Sequence, residues 1–140
     1  MNPTRWQQIH DLIARSRDAM VSSVDSEGCP NTKCMFLREH EGLATFWFST
    51  NCSAKRTARF RANPHACIYL VDNAGFEGLM LVGEMAVLTD RASRERLWKA
   101  GDEQYYPSGV DDPDYCVLRF TARRGNFYDM LKNEDFEVAP

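Results

Sequence analysis

The chain has 140 residues, 44% of them hydrophobic, which is enough for one core and too little for two. Seventeen Lys and Arg against twenty Asp and Glu leave a formal charge of -3, which excludes the strong positive field of a nonspecific nucleic-acid binder. No run stays apolar for the roughly twenty residues that cross a bilayer, and the start MNPTRWQQIH lacks a secretory pattern, so one soluble cytoplasmic domain, without nucleic-acid or membrane partners, is expected.

Thr4 and Gln7 have the spacing of a capping box, and Trp6, Ile9, Ile13 and Met20 follow at near-helical intervals, predicting a helix from about Arg5 to Arg17. Ala19–Val24 and Thr32–Arg38 are β-prone and flank Asp25-Ser26-Glu27-Gly28, so they read as a hairpin. A second reversal at His40-Glu41-Gly42 leads into the aromatic run Leu43–Ser49, expected to be a central strand buried on both faces. Ser53 can cap a short helix, Ala54 to Arg61, that must stop near Asn63-Pro64 because the residue before proline disfavours helical geometry. Ala66–Val71 and Leu79–Thr89 read as strands about the turn Asp72–Gly75. Asp90 caps a third helix, Arg91–Ala100, closed by Gly101, and the proline-containing stretch Gln104–Asp114 reads as loop. Tyr115–Thr121 and Asn126–Leu131 complete the set as two strands about Arg124-Gly125. Seven short strands with three flanking helices predict a mainly β fold, an antiparallel, Greek-key-like barrel, closed or partly closed; no nucleotide-binding βαβ repeat, internal repeat or linker is visible.

Five cysteines, Cys29, Cys34, Cys52, Cys67 and Cys116, form an odd set without a CxxC pair, the pattern of free thiols; Cys34 and Cys52 read as small buried hydrophobes. His10, His40 and His65 have no metal-binding spacing and read as surface residues. Trp98 reads as packing, and of Trp47 and Phe48 alternation allows only one to face a ligand.

The segment with chemistry is Ser49-Thr50-Asn51-Cys52-Ser53-Ala54-Lys55-Arg56. Three hydroxyls, the free amides of a helix N-terminus and two adjacent cations suit a phosphate dianion. The alternative, that Ser53 only caps the helix while Lys55 and Arg56 face water, stays open on these residues alone.

Several motifs in order resemble the pyridoxamine 5′-phosphate oxidase-like family of FMN-binding split barrels, in particular its general stress protein branch. Lys33-Cys34-Met35-Phe36-Leu37-Arg38 has the spacing of the family's Arg-x-x-x-x-Lys strand with the cations exchanged. Phe48-Ser49-Thr50-Asn51 followed by Lys55-Arg56 is similar to its aromatic–Tyr-Thr-Asn block, with Ser49 in place of the tyrosine. Asn63-Pro64, Leu79–Glu84, Tyr105-Tyr106-Pro107 and Asp112–Tyr115 also match. The resemblance implies FMN, with Ser49, Thr50, Ser53, Lys55 and Arg56 on its phosphate, Cys34, Met35 and Phe36 along the ring, Phe48 beside them, and either Lys33 or Arg38 as the cation that tunes its potential. It also implies a homodimer with flavin at the interface. Gly78 stands where the oxidase has glutamine, and the chain ends Asn133–Pro140 without the oxidase's Arg-Leu-His segment, so pyridoxamine phosphate oxidation itself is not expected. The expected function is an FMN oxidoreductase passing a hydride or electrons from reduced nicotinamide or another small donor to an acceptor. The alternatives are a flavin-binding stress protein without turnover and, from haem-binding relatives, a tetrapyrrole carrier, for which no axial ligand is apparent.

Overall fold

A computed structural model describes all 140 residues. Helix α1 (Pro3–Arg15) starts from Asn2, whose Oδ1 accepts from Arg5 N at 2.9 Å, and buries Ile9, Leu12 and Ile13 at i, i+3 and i+4. The cap is therefore Asn2 with Pro3 behind it and not the Thr4–Gln7 box; Gln7 instead donates to Asp11 at 2.9 Å.

Eight strands follow: β1 (Asp18–Val24), β2 (Pro30–Phe36), β3 (Glu39–Glu41), β4 (Thr45–Asn51), β5 (His65–Asp72), β6 (Glu77–Leu88), β7 (Tyr115–Asp129) and β8 (Lys132–Glu137), with α2 (Lys55–Ala62) after β4 and α3 (Arg91–Leu97) after β6. Neighbours run β2-β1-β5-β6-β7-β4-β3, with β8 on β7 and every pair antiparallel. The sheet curls into a half-barrel. Its inner face, with Phe46, Phe48, Ile68, Leu79, Leu81, Leu118, Phe120 and Phe127 all at 0% exposure, closes over α1 and over Phe60 of α2. A smaller cluster of Trp47, Leu97, Tyr106, Tyr115 and Val117 lies on the other face of β4 and β7, beneath α3 and the segment that follows it.

Several expectations hold, among them the β1–β2 hairpin, α2 and its end at Asn63, and the aromatic strand buried on both faces. That strand, β4, sits one place from the sheet edge, and it is covered on its second face by the small cluster. Four expectations fail. The reversal before β4 comes after Glu41, because Glu39–Glu41 pair with Thr45–Trp47. Helix α3 ends at Leu97; Gly101, left-handed at φ 97°, redirects the chain four residues later into a 3₁₀ turn, Asp102–Gln104. Arg124-Gly125 is no reversal: a Cβ on Gly125 would lie 2.5 Å from the Phe136 ring, so this glycine admits β8 against a continuous β7. The last strand, expected to close the chain of strands at Leu131, ends at Asp129; the reversal falls at Met130, and Lys132–Glu137 add an eighth strand, β8.

The length of β7 is what bends the sheet. Its first half pairs with β4 and its second with β8, and between them the register against β6 slips at Val82/Gly83. A Cβ at Gly83 would lie 1.9 Å from Thr121 O, so only glycine lets the two backbones cross this closely at the bulge. No helix of the molecule is long and apolar enough to cross a membrane.

Candidate functional site

β2 ends the sheet, with β1 on one side and no strand on the other. The curl brings its open edge toward β4, and a cleft of about 350 Å³ lies there, lined by Asp18, Cys34, Met35, Phe36, Arg38, Ser49, Asn51, Arg56, Asp102, Tyr105 and Tyr106. That volume falls within the range of small-molecule sites, about 300–1,000 Å³. The walls come from four parts of the chain: the β1–β2 hairpin, the end of β4, the first turn of α2, and the turn after α3.

Six of the eleven residues expected at the cofactor line this cleft: Cys34, Met35, Phe36, Arg38, Ser49 and Arg56. Thr50 is buried behind it and accepts from Arg56 Nη1 at 2.8 Å, fixing the guanidinium at the start of α2. Arg56 Nε and Ser49 Oγ are buried and have no hydrogen-bond partner within the protein. Arg38 Nε in the same cleft is also buried without a partner, as are Arg5 Nη1 and Arg94 Nε away from it; unpaired buried donors are costly, and the three that share this cleft suit a polar occupant.

The remaining expected residues lie elsewhere. Phe48 is fully buried in the main core, while Trp47 packs in the small cluster under the Arg96 guanidinium, 4.1 Å from the ring, so neither faces the cleft. Lys33 and Lys55 are exposed and off the cleft wall. Ser53 is not the helix cap: Ala54 holds that position without a side-chain bond, and Ser53 turns to Asp114, its N–H and Oγ donating at 2.8 and 3.1 Å. Asn51 Nδ2 donates to the same carboxylate at 2.7 Å. These bonds, the Asn51 side chain's first, hold the Asp114 carboxyl below the ordinary carboxylate value.

Arg38 is committed within the protein. Its Nη2 donates to the carboxylate of Asp102, itself 6% exposed, and to Leu97 O at 3.3 Å, so the expected ring-edge cation is already neutralised. Asp102 also accepts from Lys99 N at 2.9 Å. The pair ties the turn after α3 to the end of β2 and sets Tyr105 and Tyr106 as the far lip of the cleft. Tyr106 packs at a tilt 4.8 Å from Tyr115, which meets Trp98 edge-on at 5.3 Å, so Trp98 packs against the small cluster. Burial pushes the Tyr106 phenol up to about 12, so it stays protonated at neutral pH.

The cysteines are all free thiols. Cys34 is exposed on the cleft wall and not a buried hydrophobe, because on β2 its side chain points away from the core that Met35 enters. Cys52 is half-buried, and Cys116 beneath it is fully buried, its thiol pushed up to about 12 by burial first and then by the neighbouring Cys52. All three histidines are exposed, none lines this cleft, and no cluster of three metal-ligating side chains exists. Sequence reasoning gave no site role to Asp18, Asp102 or Asp114, which lie far from the motif in the chain, and nothing local to Asp102 or Asp114 signals its partner.

Over residues 4–138 the chain matches the family described as "Pyridoxamine 5'-phosphate oxidase like". No curated protein matches it. Among solved structures it is similar to a Clostridium acetobutylicum protein described as related to general stress protein 26 of B. subtilis, of the pyridoxinephosphate oxidase family. The two share 44% identity over 99% of this chain and 97% of that one, with a TM-score of 0.89. A pyridoxamine 5'-phosphate oxidase-related, FMN binding protein of Nostoc punctiforme shares the fold at 14% identity over 100% and 99% of the two chains, TM-score 0.65. So does a heme binding protein of Mycobacterium smegmatis at 15% identity, 98% of this chain against 59% of that one, TM-score 0.77. With its half-barrel of antiparallel strands and three helices, the chain belongs to the pyridoxamine 5'-phosphate oxidase-like family.

Proposed function

We propose that the cleft between β2 and β4 binds FMN and that the protein is an FMN-dependent oxidoreductase of the cytoplasm. The observation that carries this reading is the pair of buried, unpartnered polar atoms that face one cleft, Ser49 Oγ on β4 and Arg56 Nε in the first turn of α2. A phosphate monoester supplies acceptors to both, and the helix N-terminus adds free amides and a favourable dipole. Arg56, pinned by Thr50, is the principal anchor, and Lys55, solvated next to it, adds charge without a fixed contact. The open edge of β2 from Cys34 to Phe36 offers backbone groups to a polar ring edge, and Phe36, Met35 and Tyr106 offer apolar cover. Bound FMN supplies hydride and two-electron chemistry that no side chain here can perform.

The protein's part is to bind, orient and exclude water. With Arg38 neutralised by Asp102, Lys33 is the nearest uncommitted cation on β2, close enough in sequence to serve a ring that extends along the strand. The outer face of β1, β2 and β5 exposes Phe36 at 60%, Met20 at 38% and Val71 at 37%, an apolar surface suited to a second copy of the chain, so the working unit is read as a homodimer with flavin near the contact.

The test is the visible spectrum of the purified protein with an FMN titration. Bound flavin, followed by anaerobic bleaching with NADH or NADPH faster than free FMN bleaches, supports the oxidoreductase. Binding without bleaching by any physiological donor leaves a flavin-binding protein, and no binding overturns the reading.

A further inference from the structure

Two thiols meet beneath the start of α2, and the proposed function uses neither. Cys116 is fully buried on β7, opposite Thr50 in the ladder with β4. Cys52 is the first residue past β4, and its N–H donates to Asp114 O at 2.7 Å, extending that pairing by one position. The two side chains therefore leave one face of neighbouring strands on a diagonal, two places apart. The Cys116 thiol faces Cys52 and the hydroxyl of Thr57, itself buried in the first turn of α2 and donating to Asn51 O at 2.8 Å. The pair is thus wedged between the loop that joins β4 to α2 and the turn that carries Arg56. It lies apart from the outer face of β1, β2 and β5 on which the second copy of the chain is placed.

Cys52 is half-buried and open to a small oxidant, while Cys116 reaches solvent nowhere and can react only with its neighbour. Diagonal partners on antiparallel strands stand about 7–8 Å apart at Cα, whereas a disulfide holds its Cα atoms about 5.5–6 Å apart. Cys116 is fixed within the core, so closure must draw Cys52 inward, and Cys52 is joined directly to Ser53, whose N–H and Oγ both bond Asp114. We propose that Cys52 and Cys116 form a reversible disulfide on exposure to a hydroperoxide, and that its closure pulls the β4–α2 loop toward β7 and displaces Arg56 from the phosphate. In the first step the Cys52 sulfur takes the terminal oxygen of the peroxide, the O–O bond breaks, and the thiol proton leaves with the departing oxygen as water or alcohol. The Cys116 sulfur then attacks the Cys52 sulfur, the S–OH bond breaks, and a water carries off the Cys116 proton. Two electrons pass from the sulfurs to the peroxide, and an added dithiol returns them. The effect on FMN rests on the reading of the cleft given above; the bridge and the loop movement do not.

Hydrogen peroxide added to the full-length protein, with and without FMN, tests this by peptide mass mapping after the remaining thiols are capped. The expected product joins Cys52 to Cys116, is reversed by dithiothreitol, and is absent from Cys52→Ser and Cys116→Ala. It forms faster at pH 9 than at pH 7, because burial holds the Cys116 thiol up at about 12. In Cys116→Ala a dimedone adduct of the Cys52 sulfenic acid replaces it. Oxidation raises amide hydrogen exchange at Ser53 and weakens FMN about tenfold or more, the loss expected when one charge-assisted hydrogen bond goes. In peroxide-treated Cys52→Ser both stay at their untreated values. Absence of the Cys52–Cys116 peptide, or its presence with Ser53 exchange unchanged, overturns the proposal. So does an FMN loss that Cys52→Ser shows equally, which places the effect on exposed Cys34 instead. Should FMN fail to bind the reduced wild type, the flavin reading fails alone, and mass and exchange still decide on the bridge.

Discussion

The ion pair between Arg38 and Asp102 sets the far lip of the cleft, and its removal should be felt in stability before it is felt in binding. The side chains are 16% and 9% exposed, so each partner is largely withdrawn from water. Breaking a buried pair from one side leaves an uncompensated charge and costs about 3 kcal/mol at this level of burial. Asp102→Asn retains an acceptor for Lys99 N while removing the charge, and Arg38→Met removes the cation while keeping the aliphatic stem. Each is expected to cost about 2–3 kcal/mol, and the double variant about the same as one single, giving a coupling of about 2 kcal/mol in the cycle. For 140 residues the unfolding entropy is about 0.3 kcal/mol per degree, so each single should lower the melting temperature by about 10 °C. Urea unfolding followed by tryptophan fluorescence gives the four free energies. Strictly additive singles, or singles costing under about 0.5 kcal/mol, would refute the view that this pair fastens the turn after α3 to β2.

Gly83→Ala should destabilise far more than Gly78→Ala, because the added methyl group meets Thr121 backbone 1.9 Å away in the first case and the movable tips of Tyr128 and Tyr69 at 2.2 and 2.3 Å in the second; paired urea titrations check the order. Asp25, Asp72, Asp90 and Asp114 all titrate below the ordinary 3.8, held there chiefly by Asn31, the Gly75 amide, the Ser93 amide and Asn51 respectively. On acidification the unfolded chain takes up protons at these groups first, so their stabilisation is complete above 3.8 and disappears as pH falls through the lowered values; urea midpoints at pH 5, 4 and 3 should show the loss confined to the acid end.

What sequence could foresee, it foresaw through local physics. The β1–β2 hairpin follows from turn chemistry between two short β-prone runs, α2 ends where Asn63-Pro64 must end it, and the burial of β4 on both faces follows from Phe46-Trp47-Phe48. What it misread depends on partners distant in the chain. Gly125 reads as a turn until Phe136 is seen lying across it, and Arg38 reads as a free cation until Asp102, 64 residues later, closes on it. The cleft shows the same division. Ser49 and Arg56 carry their promise in the local motif, whereas Asp18 and Tyr105 reach the site only because the half-barrel folds β1 and the turn after α3 around the edge of β2.

The motif itself divides when its partners are counted, and this makes the phosphate assignment discriminating. From the sequence, Ser53 and Arg56 are equivalent donors to one anion. In the folded chain both donors of Ser53 are spent on Asp114, at 2.8 and 3.1 Å, and an anion drawing on them must displace a carboxylate that Asn51 also holds. Arg56 has the opposite standing: one nitrogen is fixed on Thr50 and another is buried without an acceptor. A charge-assisted hydrogen bond is worth about 1.5–3 kcal/mol, so Arg56→Ala should weaken FMN about tenfold to a hundredfold. Ser53→Ala should weaken it less than about threefold, because it removes a bond the ligand never made. Fluorescence quenching of FMN on titration measures both. Should Ser53→Ala cost as much as Arg56→Ala, the anion sits in the loop that Asp114 occupies, and Asp114 must then leave it whenever the ligand arrives.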